Sequence, residues 1–215
     1  MENALNIFVR SIFVDNMIFA FFLGMCSYLA VSKNIKTSIG LGIAITFVLL
    51  ITLPVNYLLQ VYVLNDGALS WLGGNFAKLN LSYLSFILFI AVIAAITQFV
   101  EMIVEKFTPA LYASLGIFLP LIAVNCAIMG AALFMQQRVG LPATDPKALT
   151  CFTDVVSYAL GSGLGWTLAI VGLAAIREKM EYNAVPAALK GLGITFITVA
   201  LMAMAFLCFS GLKIG

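Results

Sequence analysis

Long apolar runs are the feature that most restricts the fold of this chain. Six runs of about 20 residues or more are nearly free of charged side chains, at 9–31, 39–63, 81–100, 110–135, 155–176 and 191–212. An apolar helix of this length crosses the hydrocarbon layer of about 30 Å, and lipid requires each segment to satisfy its own backbone hydrogen bonds. The runs are continuous and do not alternate as in a membrane β-barrel. The sequence therefore predicts an all-α integral membrane protein with six transmembrane helices.

Composition excludes several other classes of protein. The chain is 63% hydrophobic and 9% charged, whereas soluble domains are about 45–50% apolar and about 25% charged. A net charge of +2 without a basic run gives no support for nucleic-acid binding. The chain has no His, so His-based zinc or haem ligation and Ser-His catalysis are excluded. The N-terminus has no positively charged signal-peptide region, so we expect the first run to remain as a span of a single membrane domain, 1–215.

The two halves of the chain, 1–107 and 108–215, resemble each other. The run FLGMC at 22–26 corresponds to IAVNC at 122–126, and SIGLG at 38–42 corresponds to SYALG at 157–161. Each half contains three predicted spans, so the second half enters the membrane from the opposite face. This pattern predicts two inverted three-helix repeats, an arrangement that places functional sites near the midplane.

The matching cysteines fall near the middle of their spans. Cys26 lies seven residues before Lys33, or about 10 Å along a helix, and Cys126 lies ten before Gln136, or about 15 Å. These polar ends are on opposite faces, so both thiols are predicted near the midplane. Gly24, Gly116 and Pro120 are nearby helix breakers. We therefore predict that helices one and four are broken near the midplane.

Three chemical interpretations of Cys26 and Cys126 remain open at this point. A buried free Cys commonly acts as a small hydrophobic residue, and this interpretation is assigned to Cys151 and Cys208. A disulfide between Cys26 and Cys126 is disfavoured in a reducing compartment. Thiolates in a chain without His suit an iron–sulfur cluster, zinc or Cu(I). Since a [2Fe–2S] cluster takes four protein ligands, we expect a second, similar chain to supply two of them.

Two acidic residues are candidates for an ion path. Asp15 lies within the first apolar run, where an ionisable residue is a functional candidate, although Arg10 nearby also fits a polar helix start at the interface. Glu101 follows Thr97 and Gln98 at the end of span three, and is interpreted as an interfacial charge or as an oxygen ligand for a hard cation at the entrance of a path. The run Arg177-Glu178-Lys179 is predicted to form a salt-bridged cap.

Several runs along the chain resemble one family. They are FLGMC at 22–26, AVSK at 30–33, GIFLPLI at 116–122, NCA at 125–127, AIREK at 175–179 and GLGITFIT at 191–198. The chain resembles the small membrane subunits of the sodium-pumping NADH:ubiquinone reductase and of the related Rnf complex, a ferredoxin:NAD oxidoreductase. AVSK and the following IKTS favour the quinone-reductase branch, while the segment at about 66–80 and the long connection around 141–146 depart from the family pattern.

The resemblance implies a role in electron transfer. It implies a [2Fe–2S] cluster in mid-membrane held by two Cys of this chain, Cys26 and Cys126, and two of a homologous membrane subunit, the D-type subunit of the complex. The cluster would relay electrons between flavin-bearing subunits of a six-subunit complex, coupled to Na⁺ export, while other subunits bind NADH, flavins and ubiquinone. Asn125, beside Cys126, would donate to a cluster sulfur, and Gly24 would lie close to the same site.

The expected location is the inner membrane of a bacterium. The first, third and fifth connections hold six Lys and Arg, and the rest of the chain holds five. This small excess favours a cytoplasmic face for those connections, so both termini are predicted to be periplasmic. The alternatives are the homologous Rnf subunit and a secondary transporter with inverted repeats.

Overall fold

The computed structural model describes residues 2–64, 84–107, 122, 125–142, 145, 147–182, 186 and 189–211. Within these residues the chain is helical and contains no strand. The described residues form seven α-helices: α1 (Glu2–Phe13), α2 (Met25–Val31), α3 (Ile35–Leu59), α4 (Ser85–Phe107), α5 (Cys126–Val139), α6 (Phe152–Met180) and α7 (Leu192–Ser210). A π-helical segment, Gln60–Leu64, continues α3.

Four helices among the described residues are long and apolar enough to span a membrane. They are Ile35–Leu64, Ser85–Ile103, Phe152–Met180 and Leu192–Phe209, and they correspond to predicted spans two, three, five and six. The prediction of an all-helical, multi-pass membrane protein is therefore confirmed. The inverted six-span arrangement stays a prediction. Gly116, Pro120 and the segment at about 66–80 lie outside the described residues.

Helices α3 and α6 form the centre of the molecule and run antiparallel. In the most apolar 18-residue stretch of each helix, 44% of residues are buried in α3 and 56% in α6, against 22% in both α4 and α7. The central contact is reciprocal, because Gly42 packs on Thr167 while Gly163 packs on Thr46. The two threonine hydroxyls lie 3.2 Å apart. Small residues let the two backbones approach closely here, as is common between membrane helices.

The first predicted span is not a continuous helix. Helix α1 ends at Phe13 and α2 begins at Met25, so the predicted break is a connection that we call the 14–24 segment. Helices α1 and α2 both run parallel to α6. Near the N-terminal half of α6, a Cβ added to Gly161 would lie 2.8 Å from the carbonyl oxygen of Phe8. Toward the other end, Arg177 donates to the carbonyl oxygen of Leu29 at 3.0 Å.

The contact of Arg177 corrects one prediction. This side chain donates to the Leu29 carbonyl and to the Ser32 hydroxyl, the latter at 2.7 Å. Within the described part of the chain, ion pairs join only Asp15 to Arg10 and to Arg138. The predicted salt-bridged cap at 177–179 is therefore wrong, because the guanidinium binds oxygens at the end of α2.

The 14–24 segment runs antiparallel to α5 along its whole length. Asp15 pairs with Arg138, the rings of Phe21 and Phe134 lie 4.4 Å apart, and Gly24 packs on Ala127. Turn hydrogen bonds order the segment internally, including Ala20 N–H to the Asn16 carbonyl oxygen at 2.9 Å. The segment thus packs against α5 from its first turn, where Cys126 lies, to its last turn, where Arg138 lies.

Candidate functional site at the two cysteine helices

Cys26 lies in the first turn of α2, where the backbone enters the helix through Gly24. Gly24 has φ 82° and ψ 17°, a left-handed conformation that glycine adopts without steric cost. A Cβ at this position would lie 2.9 Å from Asn125 Oδ1, 3.0 Å from Ala127 Cβ and 3.1 Å from Trp166 Nε1. Both the backbone conformation and the close packing therefore require glycine two residues before the thiol.

Cys126 is the first residue of α5, and its position is fixed by a side-chain cap. Asn125 is extended, with φ −71° and ψ 117°, and its Oδ1 accepts the backbone N–H of Ala127 at 3.0 Å. Asn is a favoured N-cap because its oxygen satisfies a first-turn N–H group. The sequence placed both cysteines in the middle of apolar runs, and the structure places both at helix starts.

The two helix starts are joined directly. Asn125 Nδ2 donates to Ser27 Oγ at 3.0 Å, across 98 residues of sequence, and both side chains are buried. Cys26 precedes Ser27 and Cys126 follows Asn125, so each cysteine is one residue away from this bond. Both thiols are free and exposed on the chain. The structure therefore brings the two predicted cysteines to one place and leaves them open to another molecule.

A charged cluster lies at the other end of the 14–24 segment. Asp15 Oδ2 accepts from Arg138 Nη2 at 2.9 Å and from Arg10 Nε at 3.3 Å. The Asp15 and Arg138 side chains are each 9% exposed, against 27% for Arg10. The Arg138 guanidinium also lies over the Tyr158 ring, 4.7 Å from its centroid. The proximity of Arg10 was predicted, but the buried partner of Asp15 was not.

The other predicted residues lie apart from the cysteines. Glu101 is half-buried on α4, and no hydrogen bond or ion pair between described residues links it to α2 or α5. Cys151 caps α6, where its N–H donates to Asp154 at 3.2 Å, and Cys208 is exposed on α7. The described residues include no group of three or more metal-ligating side chains.

Asn125 forms two hydrogen bonds within this chain, and its donation to a cluster sulfur stays a prediction. Its amide oxygen caps α5 and its amide nitrogen binds Ser27. Sequence reasoning missed Ser27 and Trp166, which contact Asn125 and Gly24 respectively. Their positions within apolar runs gave no signal of a partner in another helix.

Comparison with known proteins decides the family. A profile of Rnf-Nqr subunits, described as membrane proteins, matches residues 4–213. The chain belongs to the Rnf-Nqr subunit family. It is 55% identical to the E-type subunit of the Na(+)-translocating NADH-quinone reductase of Maridesulfovibrio salexigens, over 99% of this chain and 100% of the relative. It is also 55% identical to the protein of that name in Psychromonas ingrahamii, over 100% of both chains, and 54% identical to that of Alcanivorax borkumensis, over 99% of both.

These relatives confirm the resemblance seen in the sequence, including its preference for the quinone-reductase branch of the Rnf-Nqr family. The match extends over nearly the whole chain, so it includes both cysteine helices and the central α3–α6 pair.

Proposed function

We propose that this chain is a membrane subunit of a sodium-translocating NADH–quinone reductase in the bacterial inner membrane. The observation that carries the proposal is the identity of 54–55% with subunits of that enzyme over essentially the full length. The chain acts within the assembled complex and is not expected to catalyse a reaction alone. NADH, flavins and ubiquinone are assigned to other subunits, and both termini to the periplasm.

We also propose the fold of six spans in two inverted repeats, 1–107 and 108–215. The reciprocal contact in the centre supports it, because Gly42 meets Thr167 in the same way as Gly163 meets Thr46. A two-fold axis in the membrane plane relates the elements of inverted repeats and would produce such a pair of contacts. The equivalent residues Gly42 and Gly163 are 121 positions apart in the sequence, as are Thr46 and Thr167. This offset is two more than the offset between Ser38 and Ser157 in the sequence comparison.

Cys26 and Cys126 are proposed to hold one half of a [2Fe–2S] cluster. The donor set fits, since the two exposed thiols flank one buried hydrogen bond, and thiolates are the usual ligands of this cluster. Two further thiolates would come from the homologous D-type subunit, packed on the exposed face of α2 and α5. When bound, the cluster would supply one-electron transfer between the flavin-bearing subunits.

The remaining residues of the site hold the two thiols in place. Gly24 lets α2 approach α5, and Asn125 fixes the first turn of α5 and binds Ser27. These contacts are uncharged, while the charged pair Asp15–Arg138 lies at the far end of the 14–24 segment. The residues beside the thiols therefore provide a rigid and neutral frame.

Electron paramagnetic resonance of the purified complex tests the cluster assignment. We expect Cys26→Ser and Cys126→Ser each to abolish the [2Fe–2S] signal and to lower iron and sulfide content. Cys151→Ser and Cys208→Ser are matched controls, because these thiols are also exposed but lie outside the first turns of α2 and α5. A full signal in Cys26→Ser would refute the assignment. A colourless complex that transports a solute without redox activity would instead favour a secondary transporter.

Glu101 is proposed to lie at the entrance of the sodium path. Its half-buried position on α4 leaves the carboxylate partly uncovered on this chain, and hard cations prefer oxygen ligands. We expect Glu101→Ala to raise the sodium concentration needed for half-maximal NADH–quinone activity. Glu178→Ala removes an exposed carboxylate from α6 and serves as the control. An unchanged sodium dependence in Glu101→Ala would remove this residue from the path.

A further inference from the structure

Three buried polar atoms on one face of α6 have no hydrogen-bond partner among the described residues. They are Tyr158 Oη, Ser162 Oγ and Trp166 Nε1, and their side chains are at most 1% exposed. Buried polar atoms in proteins are nearly always paired, with protein groups or with ordered water. An unpaired one costs more in a membrane, where no bulk water reaches it.

The three residues lie in a row along α6. Residues 158, 162 and 166 are four apart, so they lie on the same side of α6 with a rise of about 6 Å per step.

Each end of the row meets a group already described. At one end, the Tyr158 ring lies under the Arg138 guanidinium, which pairs with Asp15. At the other end, Trp166 Nε1 and Asn125 Oδ1 both lie about 3 Å from the position that a Cβ on Gly24 would occupy. The row of residues therefore lies alongside the 14–24 segment, with Tyr158 at the charged cluster and Trp166 at the two cysteine helices.

We propose that Tyr158, Ser162 and Trp166 bind a file of water molecules between α6, α5 and the 14–24 segment. Water suits this set better than a metal cation, because the indole N–H of Trp166 is only a donor. A hydroxyl both donates and accepts, so Tyr158 and Ser162 continue the file. The bound water pairs all three atoms and gives a continuous polar connection from the Asp15–Arg138 pair to the cysteine helices.

X-ray hydroxyl-radical footprinting tests the proposal, because radicals form from bound water and modify the side chains beside it. The sample is the chain purified from its native membrane with its partners. After correction for intrinsic reactivity, we expect Tyr158 and Trp166 to be modified several-fold faster than Phe89. Phe89 on α4 is the internal control, since it is similarly buried at 1% exposure and its side chain has no polar atom. Equal rates for the three aromatic residues would overturn the proposal.

Ser162→Ala provides a second measurement. Loss of this hydroxyl removes the middle of the file, so modification of Tyr158 and Trp166 should fall toward the rate of Phe89. Ser38→Ala is the matched control, because Ser38 is also fully buried but bonds to the backbone oxygens of Asn34 and Val31. Unchanged modification in Ser162→Ala would show that Ser162 holds no water and would also contradict the file.

Discussion

The two ends of the 14–24 segment are attached to α5 by different kinds of interaction. Near the last turn of α5, the attachment is a buried ion pair between Asp15 and Arg138. Near the first turn, it is a close backbone contact at Gly24 and a neutral hydrogen bond between Asn125 and Ser27. The thiols lie only at the neutral end. A fixed full charge in a low-dielectric region acts strongly on a neighbouring charge, so this arrangement separates the ion pair from the site proposed to exchange electrons.

Loss of the charged attachment should destabilise the chain most. Asp15→Ala leaves Arg138 buried beside Arg10 without a counter-ion, and loss of one partner from a buried pair costs about 3–5 kcal/mol. The free energy of unfolding of this chain can be measured by pulse proteolysis of the purified complex across a series of SDS concentrations. Arg10→Ala is the control, and its expected cost is below about 1 kcal/mol because the Arg10 contact is longer and more exposed. Equal losses for the two variants would contradict the buried pair.

The second-largest loss of unfolding free energy is expected when the neutral attachment at Gly24 is disturbed. Gly24→Ala forces a left-handed conformation on an L-residue, at about 1–2 kcal/mol, and crowds Asn125 and Trp166, at about 1–3 kcal/mol. The same proteolysis measurement should show a total loss of about 3 kcal/mol. Gly140→Ala is the control, because an added Cβ there meets its nearest atom at 3.7 Å. A Gly24→Ala chain as stable as Gly140→Ala would show that the contact is absent.

A smaller loss of stability is expected at the cap of α5. Asn125→Ala removes the cap and the bond to Ser27, each worth about 1 kcal/mol. Asn34→Ala is a matched comparison, since Asn34 is also an N-cap but forms no side-chain cap bond. Its expected cost is within about 0.5 kcal/mol. If the two Asn variants had the same stability, the cap would not be what positions Cys126.

The single hydrogen bond between Ser27 and Asn125 should contribute least. Ser27→Ala removes the partner of Asn125 Nδ2 and a bond from Ser27 Oγ to the Gly24 carbonyl oxygen at 3.1 Å. Interhelical polar contacts in membrane proteins average about 0.6 kcal/mol, and we expect a loss of that order. A double-mutant cycle with Asn125→Ala measures the coupling directly, and strict additivity of the two losses would argue against the bond.

Local patterns explain which parts of the fold could be predicted. The apolar runs indicated the spans of α3, α4, α6 and α7, because length and hydropathy along one segment are sufficient for a membrane helix. Gly24 indicated the break in the first span, since left-handed positions favour glycine. A break in the fourth span was also predicted, but the sequence did not indicate that α5 begins at Cys126. A cap is a local motif, but Asn125 lies inside an apolar run without a polar boundary.

The order of residues was enough to establish that this chain is a multi-pass membrane protein and to identify Cys26 and Cys126 as candidate ligands. Three contacts emerged only from the packing of the helices: Asp15 with Arg138 across 123 residues, Asn125 with Ser27, and Trp166 with Gly24. The difference arises from the range of the interactions. Transfer of an apolar segment into lipid depends on that segment alone, whereas a buried polar group takes whichever partner the packing of other helices brings within hydrogen-bond distance.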